Sequence, residues 1–197
     1  MRYDPIDPTF FIGNRKRFSD MLASGALAIF HSSDEYPRNG DQNFPFRQQS
    51  DLFYLGGIDQ EDTILLLAPG HPNPELREML FLKETSEQIA IWEGQKLTKE
   101  KARQASGISS VHWTKDFDFY LRDLMMWAGK VYLNMNEYPK YSNPVPYRDL
   151  RFANDLKERF PLHTFERAAP LLAGLRKIKS ETEIGLRSSA SNEQALA

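Results

Sequence analysis

No cysteine occurs among the 197 residues, which excludes disulfides, thiolate chemistry and cysteine-ligated zinc together. An excess of basic charge is missing too. Lys and Arg number 25 against 27 Asp and Glu, a formal net charge of -2, whereas nucleic-acid binders present a basic face; no nucleic-acid partner is expected. No apolar run approaches the roughly 20 residues of a spanning helix, and the opening MRYDPIDPTF has no apolar centre of a secretory signal. No membrane partner and a cytoplasmic location are therefore the expectation. Phosphate-cradling glycine loops, a dinucleotide fingerprint and a Gly-x-Ser-x-Gly elbow are absent from the sequence. The four histidines, His31, His71, His112 and His163, stand alone, no two at the i, i+3 or i, i+4 spacing of helical metal ligands. They read as satisfied core or surface side chains.

What is present is the composition of a folded globular chain, 41% hydrophobic and 26% charged, of a length that suits one domain with a small appendage. Prolines and glycines are dispersed as punctuation between elements. Thr9 is expected to cap a helix carrying Phe11, Arg15, Phe18, Met21 and Leu22, which Gly25 stops. Strands are expected at Ala26–Phe30, Thr63–Ala68, Met79–Leu82, Ser110–Trp113, Val131–Asn134 and Leu162–Phe165. Thr98 and Gly107 bracket a charged helix. Phe117, Leu121, Leu124 and Met125 recur at i, i+4, i+7, i+8, one apolar stripe on a helix that Gly129 is expected to cap. Leu150, Ala153, Leu156 and Phe160 mark another helix, and Ala169–Ile178 a last one. Alternating strands and helices predict an α/β fold with helices on both faces of the sheet. No internal repeat is visible.

One stretch fits neither helix nor strand periodicity, Arg38 to Ile58 (RNGDQNFPFRQQSDLFYLGGI). Arg38-Asn39-Gly40-Asp41 reads as a turn, and Pro45 holds Phe44 extended. Ser50 or Asp51 is expected to cap a short helix that Gly56-Gly57 ends where φ > 0 is required. Arg47, between two aromatic clusters, is expected to be partly buried, paired with a carboxylate or stacked on a ring. Asp59, Glu61 and Asp62 cluster just before a strand, as a turn and cap would.

Phe44-Pro45-Phe46-Arg47-Gln48-Gln49-Ser50-Asp51-Leu52-Phe53-Tyr54-Leu55-Gly56-Gly57 resembles the signature of the N-terminal domain of Xaa-Pro aminopeptidases (aminopeptidase P), in the creatinase/prolidase family. Ile89-Ala90-Ile91-Trp92-Glu93-Gly94 resembles the family's Glu-x-x-Trp-x-Gly segment, with Ala where Glu is common. Leu175 to Ile184 resembles its connector into the catalytic domain. The resemblance implies a mixed sheet of about six strands. It also implies division of the chain into an N-terminal domain, 1–178, and a connector with the start of the catalytic domain, 179–197. In such enzymes two divalent ions, manganese-type, are held by two Asp, one His and two Glu of the C-terminal domain. This chain has no matching positions, so no catalytic residue and no metal ligand is assigned, and it is expected to be inactive alone. Trp92 matches the tryptophan that approaches a neighbouring subunit's substrate pocket and is the one substrate-binding candidate. The partners implied are a peptide with proline second, the chain's own C-terminal domain and further copies of the subunit. A creatinase-like binding module without peptidase activity, or the N-terminal domain of a prolidase, is the alternative. Ser180-Glu181-Thr182-Glu183 has the form of a capping box, so a new helix is expected to begin there.

Overall fold

The computed structural model describes residues 5–86, 88, 91, 94–138, 140 and 145–186. Its strands are β1 (Ala26–His31), β2 (Pro37–Asn39), β3 (Gln42–Asn43), β4 (Ile64–Leu67), β5 (Glu78–Leu82), β6 (Ser110–Trp113), β7 (Lys130–Leu133) and β8 (Thr164–Arg167). Six of them make one sheet in the order β6-β5-β4-β1-β7-β8, and β2 with β3 makes a separate ribbon. β1 runs parallel to β7, β7 to β8 and β5 to β6, whereas β4 runs against both β1 and β5. Every strand of the six-stranded sheet but β4 therefore points the same way.

Apolar runs become central strands because both faces are covered. Leu27 and Ile29 of β1, Leu66 of β4 and Phe81 of β5 meet one layer, built from α4 (Phe117–Trp127) and α5 (Arg148–Arg159). Phe30, Leu65, Leu67, Leu80 and Leu82 meet the other, built from α1 (Pro8–Ser19), α2 (Ser50–Gly56), α3 (Lys99–Ser106) and α6 (Ala169–Lys177). Each such side chain contributes about 1.5–3 kcal/mol over leaving it in water. The edges are wetter: β8 is mostly exposed, while every residue of β1 is buried. The expected α/β architecture, with a mixed six-stranded sheet and helices on both faces, is what the chain adopts.

Several element ends lie elsewhere than the sequence suggests. Asp7, not Thr9, caps α1, accepting from the Thr9 N–H at 2.8 Å and the Thr9 hydroxyl at 2.6 Å. The helix stops at Ser19, so Gly25 opens β1 and does not close α1. Gln49 caps α2 in place of Ser50 or Asp51, its Oε1 accepting from the Asp51 and Leu52 amides at 2.6 and 2.8 Å. Ala128, in an extended conformation, ends α4, and Gly129 has no left-handed φ to supply. The final strand is shifted to Thr164–Arg167, leaving Leu162 98% exposed. Thr98 and Gly107 bracket α3 as expected. The capping box is formed as well: Ser180 N–H donates to Glu183 Oε2 at 2.9 Å and Glu183 N–H to Ser180 Oγ at 3.3 Å.

At the amino ends of β5 and β6 the fold is locked by a buried cation. Arg15, fully buried on α1, donates from Nη1 to Leu55 O at 2.8 Å and Ser106 O at 2.9 Å, and from Nε to Glu78 Oε2 at 2.9 Å. Those carbonyls sit in the last turns of α2 and α3, where the helix dipole is negative and acceptors lack intrahelical donors. Beside it, Asn14 Nδ2 reaches Tyr54 O at 2.9 Å. The chain then leaves α2 through Gly57 at φ 68, where an added Cβ would lie 2.4 Å from Phe11 Cε2.

Candidate functional site

The carboxyl ends of β1, β7 and β8 open together onto a cleft of about 940 Å³, within the range of small-molecule sites. Ser32-Ser33-Asp34 follow β1, Met135-Asn136-Glu137 follow β7, and the first turns of α2, α5 and α6 close the sides. The position follows from topology. After β1 the chain builds β4, β5 and β6 on one side and then returns to lay β7 and β8 on the other. Such a switch in direction leaves a crevice at the strand ends, where open α/β sheets bind ligands.

The floor holds a buried acid, whose neighbour outside the cleft lining is a buried imidazole. Asp149, in the first turn of α5 and 8% exposed, has Oδ1 3.8 Å from Nδ1 of His31, the last residue of β1. That separation is too long for a hydrogen bond. Burial pushes the Asp149 carboxyl up to about 7; the Asp51 carboxylate adds to this and Arg148 opposes it. Burial likewise pushes His31 down to about 3, with Arg148 adding to the shift. Between those values both groups are neutral. His31 is wedged against Phe152, ring centroids 4.1 Å apart, which fixes its plane.

Arginine–carboxylate pairs form the walls. Asp34 accepts from the Arg148 amide at 3.0 Å and from Arg151 Nη2 at 2.7 Å, tying the β1 loop to the start of α5. Arg148 turns its Nη1 to Asp62 Oδ1 at 2.6 Å and to Ser32 Oγ at 3.3 Å. Asp51 accepts from Arg176 Nη1 at 2.7 Å and from Asn134 Nδ2 at 3.2 Å, bringing α2, α6 and the end of β7 together. Asn134 Oδ1 is buried without a partner among the described residues. Arg167 pairs with Glu137, Nε to Oε1 at 2.7 Å.

Arg47 reaches this cleft, but not as expected. It is exposed on the rim, and among the described residues it has neither an ion pair nor a ring contact. Residues 44–49 belong to no helix or strand, and Arg47 is exposed there. Trp92, the expected substrate-binding residue, lies outside the described residues; Ile91 beside it is 78% exposed. His71, His112 and His163 are dispersed, resting against Trp127, Tyr120 and the Met125 carbonyl respectively. Among the described residues no three His, Asp or Glu side chains come together as metal ligands. Asp149 is the residue that sequence reasoning missed. It precedes Ala153, Leu156 and Phe160 at helical spacing, so it is a carboxylate on an apolar stripe, which is the signal that could have found it.

Residues 11–132 match the family described as "Aminopeptidase P, N-terminal domain". A Xaa-Pro aminopeptidase of Haemophilus influenzae is 27% identical over 179 residues, which cover 91% of this chain and 39% of the relative. Xaa-Pro aminopeptidase 3 of Dictyostelium discoideum is 26% identical over 178 residues, 88% of this chain and 32% of the relative. A solved Bacillus anthracis candidate aminopeptidase P superposes with a TM-score of 0.81 at 23% identity, over 91% of this chain and 42% of that one. The low-pH form of aminopeptidase P from Escherichia coli gives 0.74 at 22% identity, over 92% and 41%. At such identity the solved structures speak for the fold alone. The chain spans less than half the length of each of these relatives.

Proposed function

The chain belongs to the aminopeptidase P N-terminal domain family, and from that premise we propose that it is the supporting, non-catalytic domain of a cytoplasmic, metal-dependent Xaa-Pro aminopeptidase. In this reading 1–178 form the domain, and 179–197 form the connector and the start of the catalytic domain. One observation carries the reading: nearly the whole chain, 91%, aligns with only 39% of a Xaa-Pro aminopeptidase. The remaining length of that relative is where a cutting machinery would reside. The capping box at Ser180, which starts a helical segment over 181–186 just beyond α6, supports a new unit beginning there.

When bound, paired divalent ions, manganese in this proposal, supply an activated hydroxide and polarise the carbonyl before proline. Their ligands are assigned to the C-terminal domain, whereas this domain's part is to shape the approach of the peptide and to contact neighbouring subunits of a homo-oligomer. Trp92 is proposed to present its flat ring to the substrate's proline or first side chain.

Given an Xaa-Pro peptide and manganese, this chain alone is expected to release no N-terminal residue above a metal-free blank. Release would overturn the assignment. Joined to a C-terminal peptidase domain bearing two Asp, one His and two Glu as ligands, it is expected to support hydrolysis, and Trp92→Ala is expected to raise KM more than it lowers kcat. An active protein indifferent to both the domain and Trp92 would refute the supporting role.

A further inference from the structure

The charged groups around the cleft pair off almost completely. Arg148 is held by Asp62, Arg176 by Asp51, Arg167 by Glu137, and Asp34 by Arg151. Among the described residues lining the cleft, two charged side chains are left over, and they are opposite in sign. Arg47 on the rim has no ion pair, and Asp149 on the floor has no Lys or Arg within ion-pairing distance: it has the His31 backbone amide, the His31 ring 3.8 Å away and the more distant charge of Arg148. Asp149 is more than nine-tenths buried, and a carboxyl so placed is costly to ionise without a partner. A cation without an ion pair at the mouth and a buried acid without a salt-bridged Lys or Arg at the base describe the complement of a small molecule with a charge of each sign.

We propose that the cleft binds a short zwitterion, an α-amino acid or small peptide, with its carboxylate on Arg47 and its ammonium on Asp149. An arginine fork suits a carboxylate, and an ammonium brings to the buried acid a direct positive partner, where Arg148 acts only at a distance and is bonded to Asp62. The inference does not depend on the peptidase reading, because none of the groups used belongs to a metal site or to the segment around Trp92.

Docking an ammonium restores the ionised form of Asp149, so binding expels a proton. The groups facing Asp149 are His31 from β1, Asp34 from the following loop, Asp51 from α2 and Arg148 beside it on α5. All of these except His31 are already committed to ion pairs, and His31 stays neutral down to about 3. The proton released between pH 6 and 7 is therefore that of Asp149.

The test is calorimetry on the full chain with L-alanine, Ala-Ala and Ala-Ala-Ala, and with the N-acetylated and C-amidated forms of whichever binds most tightly. Each blocked form is expected to bind about tenfold more weakly or worse, the scale of a lost charge-assisted contact. Proton release at pH 6.5 should appear with the free zwitterion and vanish with the acetylated form. The length that binds best tells a free amino acid from a peptide. Arg47→Gln, a surface change that leaves the fold intact, should erase the difference between free acid and amide but not that between free and acetylated amine. Asp149→Asn should do the reverse and abolish proton release. Equal binding of blocked and free forms, or no binding by any of the three, would overturn the proposal.

Discussion

The two ends of the sheet treat a buried charge in opposite ways. At the amino ends of β5 and β6, Arg15 is fully buried and bonded through Nε and Nη1 to two helix-terminal carbonyls and the Glu78 carboxylate, with only Nη2 left unbonded among the described residues. At the carboxyl ends of β1 and β7, Asp149 is nearly as buried but faces a neutral imidazole, with further carboxylates nearby. The first end ties three helices and a strand together. The second keeps electrostatic potential in reserve, as sites that await a ligand do. One polarity of strand thus separates a structural pole from a receptive one.

The sharpest way to break this comparison is Arg15→Ala. It strands two helix-end carbonyls and should cost roughly 3–5 kcal/mol, the scale for breaking a buried charged network, read from the urea midpoint; a loss below about 1 kcal/mol would mean the pole is not locked. Gly57→Ala acts at the same end. A left-handed φ and the Phe11 ring both oppose the new methyl, and about 2 kcal/mol should be lost.

At the receptive end the expected signature is a pH profile. Asp149, raised from 3.8 to about 7, keeps a proton in the folded state that the unfolded chain has lost, so by itself it makes stability fall as pH rises through that window. His31, lowered from 6.5 to about 3, does the opposite: stability rises with pH as the unfolded chain gives up its proton. From roughly pH 4 to 6.5 folded and unfolded forms bind equal numbers of protons at the pair, and the two slopes cancel. Asp149→Asn should unmask the rising slope and His31→Asn the falling one, each up to about 1.4 kcal/mol per pH unit. Flat profiles for both variants would erase the contrast. Smallest of all, Arg47→Gln on the rim should change stability by no more than about 0.5 kcal/mol, and a larger loss would place Arg47 among the structural cations.

The sheet was legible because its inner strands are buried on both faces and so read as unbroken apolar runs, as Ala26–Phe30 and Thr63–Ala68 do. α4 was legible from its stripe, since Phe117, Leu121, Leu124 and Met125 are the residues it buries. Capping was harder to read. Asp7, Thr9, Gln49, Ser50 and Asp51 are all competent acceptors, and tertiary context decides among neighbours that propensity ranks alike. The cleft was illegible for a different reason: Asp34, Asp51, Asp149 and Arg176 are scattered along the chain and meet only through the crossover that returns it from β6 to β7. Arg47 was noticed for its aromatic neighbours, yet what sets it apart is that every other arginine lining the cleft is paired. Arg15 lay in plain view at a core-facing position of α1 between Phe11 and Phe18, where its charge ought to have stood out.

Helix α2 runs between the two poles. It has seven residues, about 10 Å of axis; its first turn offers Asp51 to the cleft, and the Leu55 carbonyl in its last turn is held by Arg15. So short a rod has no room to bend, and with one end anchored the other cannot drift. The wall that a guest would meet is accordingly rigid before arrival, and the disorder that a looser rim would surrender on binding was already given up when the chain folded.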